Sequence, residues 1–334
     1  MTSRHTLEGL VVDPLDGAFP GLLVLEDGRI AEVERRPGGA EDPLLFPGFV
    51  DLHVYAPDRL AGAGVTGYLL ATRELREPED PLCLGLHLEG PFLNPNAAGA
   101  IPVDELTPVD LAAVEEWTST RGLVRLVTLA PELPRALEAI RRLAAAGVVP
   151  ALGHTRANAL TVRAALDAGA RFATHLWNAM APFRARTTGP VPALLLDPRV
   201  TIGLIADGRH LHPDTEELTV RVAGPGRIAL TSDIVAAPGH RRDGTLLGGD
   251  RGGAALVRRM ARFGLAEAAT MASLVPARLL GLADRGRLAP GYRADVAVLE
   301  RGLRAVETLV AGEPLPLRPA AESGGTRRSS PPRR

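Results

Sequence analysis

The sequence predicts an α/β fold: a (β/α) TIM-like barrel with a small β-sandwich formed by the N- and C-terminal segments. Three observations predict it. From about Phe46 to Gly281, short β-rich runs alternate with Ala/Leu/Arg stretches of helical period, the pattern of a parallel sheet with helical crossovers. The apolar runs end on a metal- or proton-handling residue about once per strand–helix unit, and in a parallel barrel those ends converge on one face. Both ends of the chain instead carry alternating apolar runs with turn signals. A doubly wound open sheet would alternate similarly, but would gather its polar tips at a switch point rather than around one mouth.

The elements follow in order. Residues 7–12 are strand-like, Asp16-Gly17 marks a turn, and residues 22–34 alternate on either side of Asp27-Gly28, a hairpin signal. Helical periodicity appears at 111–117, 134–146 and 159–169. Strand-like runs end at 86–91, 126–132, 149–155, 172–178, 202–208 and 228–233. Residues 286–300 return to hairpin patterning and are expected to join the N-terminal strands. The expected division is 1–45 with 286–318 as the β-sandwich and 46–285 as the barrel. The basic, low-complexity stretch 319–334 is expected to be a disordered tail.

Composition excludes several classes. The 334 residues are 46% hydrophobic, enough for a large core, and the net charge of −1 offers no electrostatic footprint for nucleic acid or a membrane surface. A single cysteine, Cys83, precludes an internal disulfide framework and fits a cytoplasmic, reducing compartment. No apolar run is long enough to span a bilayer, and the start has no secretory pattern. The chain has no lysine, so its 38 basic residues are all arginine. That rules out a lysine Schiff base and a carbamylated lysine bridging two metals.

Glu89, His154 and His175 fall on three strand tips. One carboxylate and two imidazoles, with a position left for water, form the donor set of a catalytic divalent ion. Such an ion acidifies water and polarises a carbonyl. Hydrolysis of an amide also needs a group that takes a proton from water and returns it to the leaving amine. Asp233, closing the last clear barrel strand, is the candidate.

The motifs carrying these residues are Phe-Pro-Gly-Phe-Val-Asp-Leu-His (46–53), Leu-Gly-Leu-His-Leu-Glu-Gly-Pro-Phe-Leu (84–93), Gly-His-Thr (153–155) and Thr-His-Leu-Trp-Asn-Ala-Met (174–180). Further along come Ile-Ala-Asp-Gly-Arg-His (205–210), Leu-Thr-Ser-Asp-Ile-Val-Ala-Ala (230–237), Pro-Ala-Arg-Leu-Leu-Gly-Leu (276–282) and the run 287–299. In this order, over about residues 20 to 300, the chain resembles the N-acetylglucosamine-6-phosphate deacetylases of the amidohydrolase superfamily.

The resemblance implies hydrolysis of the N-acetyl group of N-acetylglucosamine 6-phosphate to glucosamine 6-phosphate and acetate. It implies Glu89, His154 and His175 as metal ligands and Asp233 as general acid/base. Asn178 and the Ala179 backbone would contact the sugar, and Arg186 and His210 would bind the phosphate. One zinc-type ion is expected, with iron, cobalt or manganese compatible with the same donors. The family's usual state is a homodimer, in which phosphate contacts can cross the interface.

Three departures qualify the match. Where many members carry a His-x-His pair, this chain has His53-Val54-Tyr55; a phenol replaces imidazole poorly at a second zinc, so one metal is expected. Ile101 stands where a substrate-contacting histidine is common. The stretch between Asp51 and Leu86 is short, so helices around the second strand are missing and the barrel can be incomplete there, its wall open or covered by a neighbouring subunit. Among other residues, His87 reads as packing, Trp117 and Cys83 as core, and His5, His212 and His240 as loop histidines. Two rival functions follow from the departures: an amidohydrolase acting on another acylated amino sugar or cyclic amide, and a non-catalytic sugar-phosphate binder.

Overall fold

The computed structural model describes residues 4–39, 42–60, 62–237, 239–240, 246–249 and 251–315. The expected tail at 319–334 lies outside the described residues. The chain opens with β1 (Arg4–Asp13), β2 (Gly17–Glu26) and β3 (Arg29–Arg35). The β2–β3 turn is Asp27-Gly28, with φ of 50° and 76°, the pair of positive angles that a two-residue hairpin needs to match strand twist. His5 lies in β1 opposite Leu25, not in a loop, because the first strand begins earlier than its apolar run. Strand β4 (Leu44–Pro47) pairs parallel to β1.

Eight strands then form one parallel sheet: β5 (Phe49–Val54), β6 (Val65–Thr72), β7 (Cys83–Glu89), β8 (Val124–Leu129), β9 (Val149–Leu152), β10 (Phe172–Ala173), β11 (Thr201–Leu204) and β12 (Ile228–Leu230). The first and last are tied together beyond β12. Ser232 N–H donates to the Asp51 carboxylate at 3.2 Å, Asp233 N–H to the His53 carbonyl at 3.0 Å, and Tyr55 N–H to the Ile234 carbonyl at 3.0 Å. The shortened first third has therefore not removed a strand. Val50, Leu52, Leu69, Leu126, Ala151, Phe172 and Ala229 form one buried cluster. Since they come from six strands, several of which are not neighbours, they meet across the barrel axis and fill it.

Helices α1 (Leu111–Ser119), α2 (Ala136–Ala145), α3 (Ala159–Asp167), α4 (Pro190–Leu196) and α5 (Pro213–Ala223) make the later crossovers. Two start on side-chain caps: Asp110 accepts from Ala112 N–H and Asn158 from Thr161 N–H, each at 2.9 Å. Helix α2 buries Ala136, Ala139, Ile140 and Leu143, a 3–4 spacing that aims one face at the sheet. Among the described residues no helix of this kind follows β5 or β6: the first crossover shows a 3₁₀ turn at Pro57–Leu60.

After β12 come a short hairpin, β13 (Gly239–His240) with β14 (Leu246–Leu247), and helices α6 (Ala254–Met260), α7 (Leu265–Ala269) and α8 (Val275–Leu279). The chain then returns through β15 (Val296–Leu299), β16 (Ala305–Val310) and β17 (Glu313–Pro314) to the first sheet, whose order is β17-β16-β15-β4-β1-β2-β3. Ile30 of β3 exchanges backbone hydrogen bonds with Gly291 and Tyr292 just before β15. The sheet thus rolls over a core of Val11, Leu23, Ile30, Leu45 and Val296. Strands β15 and β16 pack on β6, where helices are missing, and Val65, Tyr68 and Leu70 are buried there. This chain's own second sheet covers the shortened wall.

Candidate metal centre

The alternation of β7 decides what faces the barrel axis. Leu86 and Leu88 point outward into the helical layer, so His87 and Glu89 point inward. Glu89 ends β7, and His154, His175 and Asp233 follow β9, β10 and β12 within three residues. The structure brings the three expected ligands together. Glu89 Oε1 lies 3.0 Å from His154 Nε2 and 2.9 Å from His175 Nε2. A third imidazole joins them: His53 Nε2 is 3.4 Å from Glu89 Oε1 and 3.4 Å from Asp233 Oδ1. His53, Glu89 and His175 each offer a ligand atom within 4.8 Å of the others. Tyr55 donates its hydroxyl to Glu89 Oε2, so one carboxylate oxygen faces the imidazoles and the other is capped.

The donor chemistry fits a cation. His154 Nδ1 is 2.8 Å from the Ala97 carbonyl, which can only accept, so that nitrogen carries a proton. Its Nε2 faces a carboxylate, which also only accepts. Either the ring is an imidazolium or its Nε2 lone pair faces a positive ion. Burial works against a charged His154, but Glu89 outweighs it and raises the ring's pKa. Burial likewise works against an ionised Glu89, yet His53 and His154 hold its carboxyl well below the usual range. Buried His175 Nδ1 lacks a hydrogen-bond partner, an arrangement that is costly without an ion or water.

Surrounding loops hold these side chains in place. Gly99 (φ 63°) passes so close to His154 that an added Cβ would stand 3.1 Å from its ring. Glu132 accepts from Asn94 Nδ2, Thr155 Oγ1 and Arg156 N–H at 2.8, 2.5 and 2.6 Å, tying the loop after β7 to the loop after β9. Among the described residues, five of the ten non-glycine residues with positive φ are His154, His175, Trp177, Ala179 and Asp233. A conformation that disfavours side chains, held repeatedly at one place, marks a site kept at a cost.

A cavity of about 890 Å³ opens over Glu89, lined by His154, His175, Asn178, Ala179, His210 and Asp233. His210 is oriented by Asp207, which sits 2.9 Å from its Nδ1 and accepts from its backbone N–H at 2.9 Å. Arg186 is exposed on the loop before α4 and does not line this cavity. Ile101 does line it, as does Arg73, which pairs with Glu105 at 2.7 Å. The sequence reading missed Arg73 because the loop after β6 has no strand-tip signal. It also took His87 for packing. His87 is fully buried but hydrogen-bonds on both ring nitrogens, to the Leu52 carbonyl at 2.8 Å and to Thr128 Oγ1 at 2.7 Å.

Known proteins share this architecture. The family model described as "Amidohydrolase family" matches residues 60–315. An N-acetylgalactosamine-6-phosphate deacetylase of Escherichia coli O157:H7 is 33% identical, over 87% of this chain and 93% of its own length. An N-acetylglucosamine-6-phosphate deacetylase of Bos taurus is 32% identical, covering 88% of each. Among solved structures, a mutant N-acetyl-D-glucosamine-6-phosphate deacetylase of Mycobacterium smegmatis, in complex with N-acetyl-D-glucosamine-6-phosphate, superposes with a TM-score of 0.84. It shares 30% identity, over 93% of this chain and 99% of that one. The N-acetylglucosamine-6-phosphate deacetylase of Thermotoga maritima gives a TM-score of 0.85 at 28% identity, with the same coverage.

Proposed function

The chain belongs to the amidohydrolase family, in its N-acetylglucosamine-6-phosphate deacetylase branch, and from that premise we infer that it hydrolyses N-acetylglucosamine 6-phosphate to glucosamine 6-phosphate and acetate. One observation carries the reading: a buried carboxylate meets imidazoles from two other strands at the floor of a cavity that is also lined by an aspartate, Asp233.

In this reading Glu89, His154 and His175 hold a single divalent ion, zinc in the first instance. When bound, it polarises the amide carbonyl and makes water more acidic. Asp233 takes the proton from water as oxygen adds to the amide carbon, and delivers it to nitrogen as the C–N bond breaks. Tyr55 supports one ion rather than two, because a phenol, here already donating to Glu89 Oε2, replaces imidazole poorly at a second ion. Asn178 and the Ala179 backbone orient the sugar, and His210, fixed by Asp207, receives the phosphate. Arg186 stands away from its own chain's cavity, so its phosphate contact is assigned across the interface of a homodimer. No described helix is long and apolar enough to cross a membrane, and the single cysteine suits a cytoplasmic protein.

A second reading, another acylated amino sugar, is favoured by Ile101, an apolar side chain in the cavity wall, and by the galactosamine-type relative. Acetate release is measured from N-acetylglucosamine 6-phosphate, N-acetylgalactosamine 6-phosphate and unphosphorylated N-acetylglucosamine. The first reading expects the highest kcat/KM on the glucosamine phosphate. A higher value on the galactosamine phosphate establishes the second.

A further inference from the structure

A line of hydrogen bonds crosses the barrel beneath the metal centre. Thr174 Oγ1 lies 2.7 Å from Thr128 Oγ1, which lies 2.7 Å from His87 Nε2. On the other side of that ring, His87 Nδ1 is 2.8 Å from the Leu52 carbonyl and 2.8 Å from His53 Nδ1. His53 Nε2 then faces Glu89 Oε1 and Asp233 Oδ1, each at 3.4 Å. All five side chains other than Asp233 are buried.

Hydrogen-bond chemistry gives this line one direction. The Leu52 carbonyl can only accept, so His87 carries its proton on Nδ1, and its Nε2 accepts from Thr128. Thr128 must in turn accept from Thr174, the neighbour of His175. A proton on His53 Nδ1 would meet the His87 Nδ1–H head-on at 2.8 Å, so that nitrogen has none. His53 must then carry its proton on Nε2, towards the two carboxylates.

We propose that His87 is a positioning residue that locks His53 as an Nε2–H donor to Asp233, so that His53 is a hydrogen-bonding partner of the proton-carrying aspartate and not a metal ligand. A nitrogen that bears hydrogen has no lone pair for a metal. On this pattern a second ion is disfavoured from beneath the site as well as at Tyr55. The consequence for Asp233 rests on the deacetylase reading, whereas the protonation pattern of the two rings rests on geometry alone.

Two measurements test it. In the zinc-loaded protein with ¹⁵N-labelled histidine, assigned with the variant His53→Asn, long-range ¹H–¹⁵N correlations report which ring nitrogen is protonated. We expect hydrogen on Nε2 of His53 and on Nδ1 of His87. A protonated Nδ1 on His53, in a neutral or a charged ring, overturns the proposal whether or not the protein deacetylates anything. In His87→Phe, His53 is released, and kcat falls about 10- to 100-fold with little change in KM. Unchanged kcat overturns it as well. If that variant does not fold, the wild-type spectrum decides. A correct ring pattern in a protein without deacetylase activity would sink the functional reading and leave the lock standing.

Discussion

The Ala97 carbonyl accepts the Nδ1–H of His154 at 2.8 Å, and this one contact links a loop that follows β7 to the imidazole that follows β9. It fixes the ring so that only Nε2 is available at the centre, the outer-shell support that metal-bound histidines usually need. The same loop must pass the ring closely, which is why Gly99 stands there. Gly99→Val is therefore expected to push against His154 and to force a β-branched residue into positive φ. Zinc affinity, measured by competition with a chelator, should fall about 10- to 100-fold. Wild-type affinity would show that the loop yields without disturbing the ligand.

Asp233→Asn keeps the shape of the side chain but cannot take a proton. Its kcat should drop about 10²- to 10⁴-fold, while metal content stays as in the wild type. Near-normal turnover with metal bound would remove Asp233 from the mechanism.

Glu89→Gln replaces a charged oxygen ligand with a neutral amide. The purified variant should contain far less than one ion per chain by elemental analysis, and acetate release should be lost. Retention of a full ion would shift the ligand set to the surrounding histidines, His53 included.

Asp51 gives the fold a pH dependence. Burial pushes its carboxyl up from 3.8 to about 6, partly offset by hydrogen bonds from Ser232 and His53. An acid with a raised folded pKa holds its proton more firmly in the folded state, so the folded chain binds more protons between about pH 4 and pH 6. Stability then falls as pH rises through that window, by up to about 3 kcal/mol. Denaturant unfolding at pH 4.5 and 7 should show this loss in the wild type and a smaller one in Asp51→Asn. Equal losses would refute the assignment.

How much of this was legible in the sequence depends on the distance over which each signal acts. The Asp27-Gly28 hairpin, the strand tips at Glu89, His154, His175 and Asp233, and the apolar face of α2 are local patterns, and each is where its pattern puts it. The meeting of the tips needed the barrel, which repetition along the chain predicts. What could not be read was packing between distant segments. Nothing local says that β15 and β16 cover β6 where helices are missing, or that His87 hydrogen-bonds to His53, 34 residues away. Arg73 enters the cavity from a loop with no periodicity. The phosphate contact that the resemblance implies for Arg186 is likewise not local: the loop carries it outside its own cavity.

The most direct test is a metal titration of the stripped protein. After chelation and dialysis, zinc is added stepwise while acetate release from N-acetylglucosamine 6-phosphate is followed. The account predicts no activity without metal and a linear rise that ends at one ion per chain. Turnover in the stripped protein, or a rise that continues to two ions per chain, would contradict it.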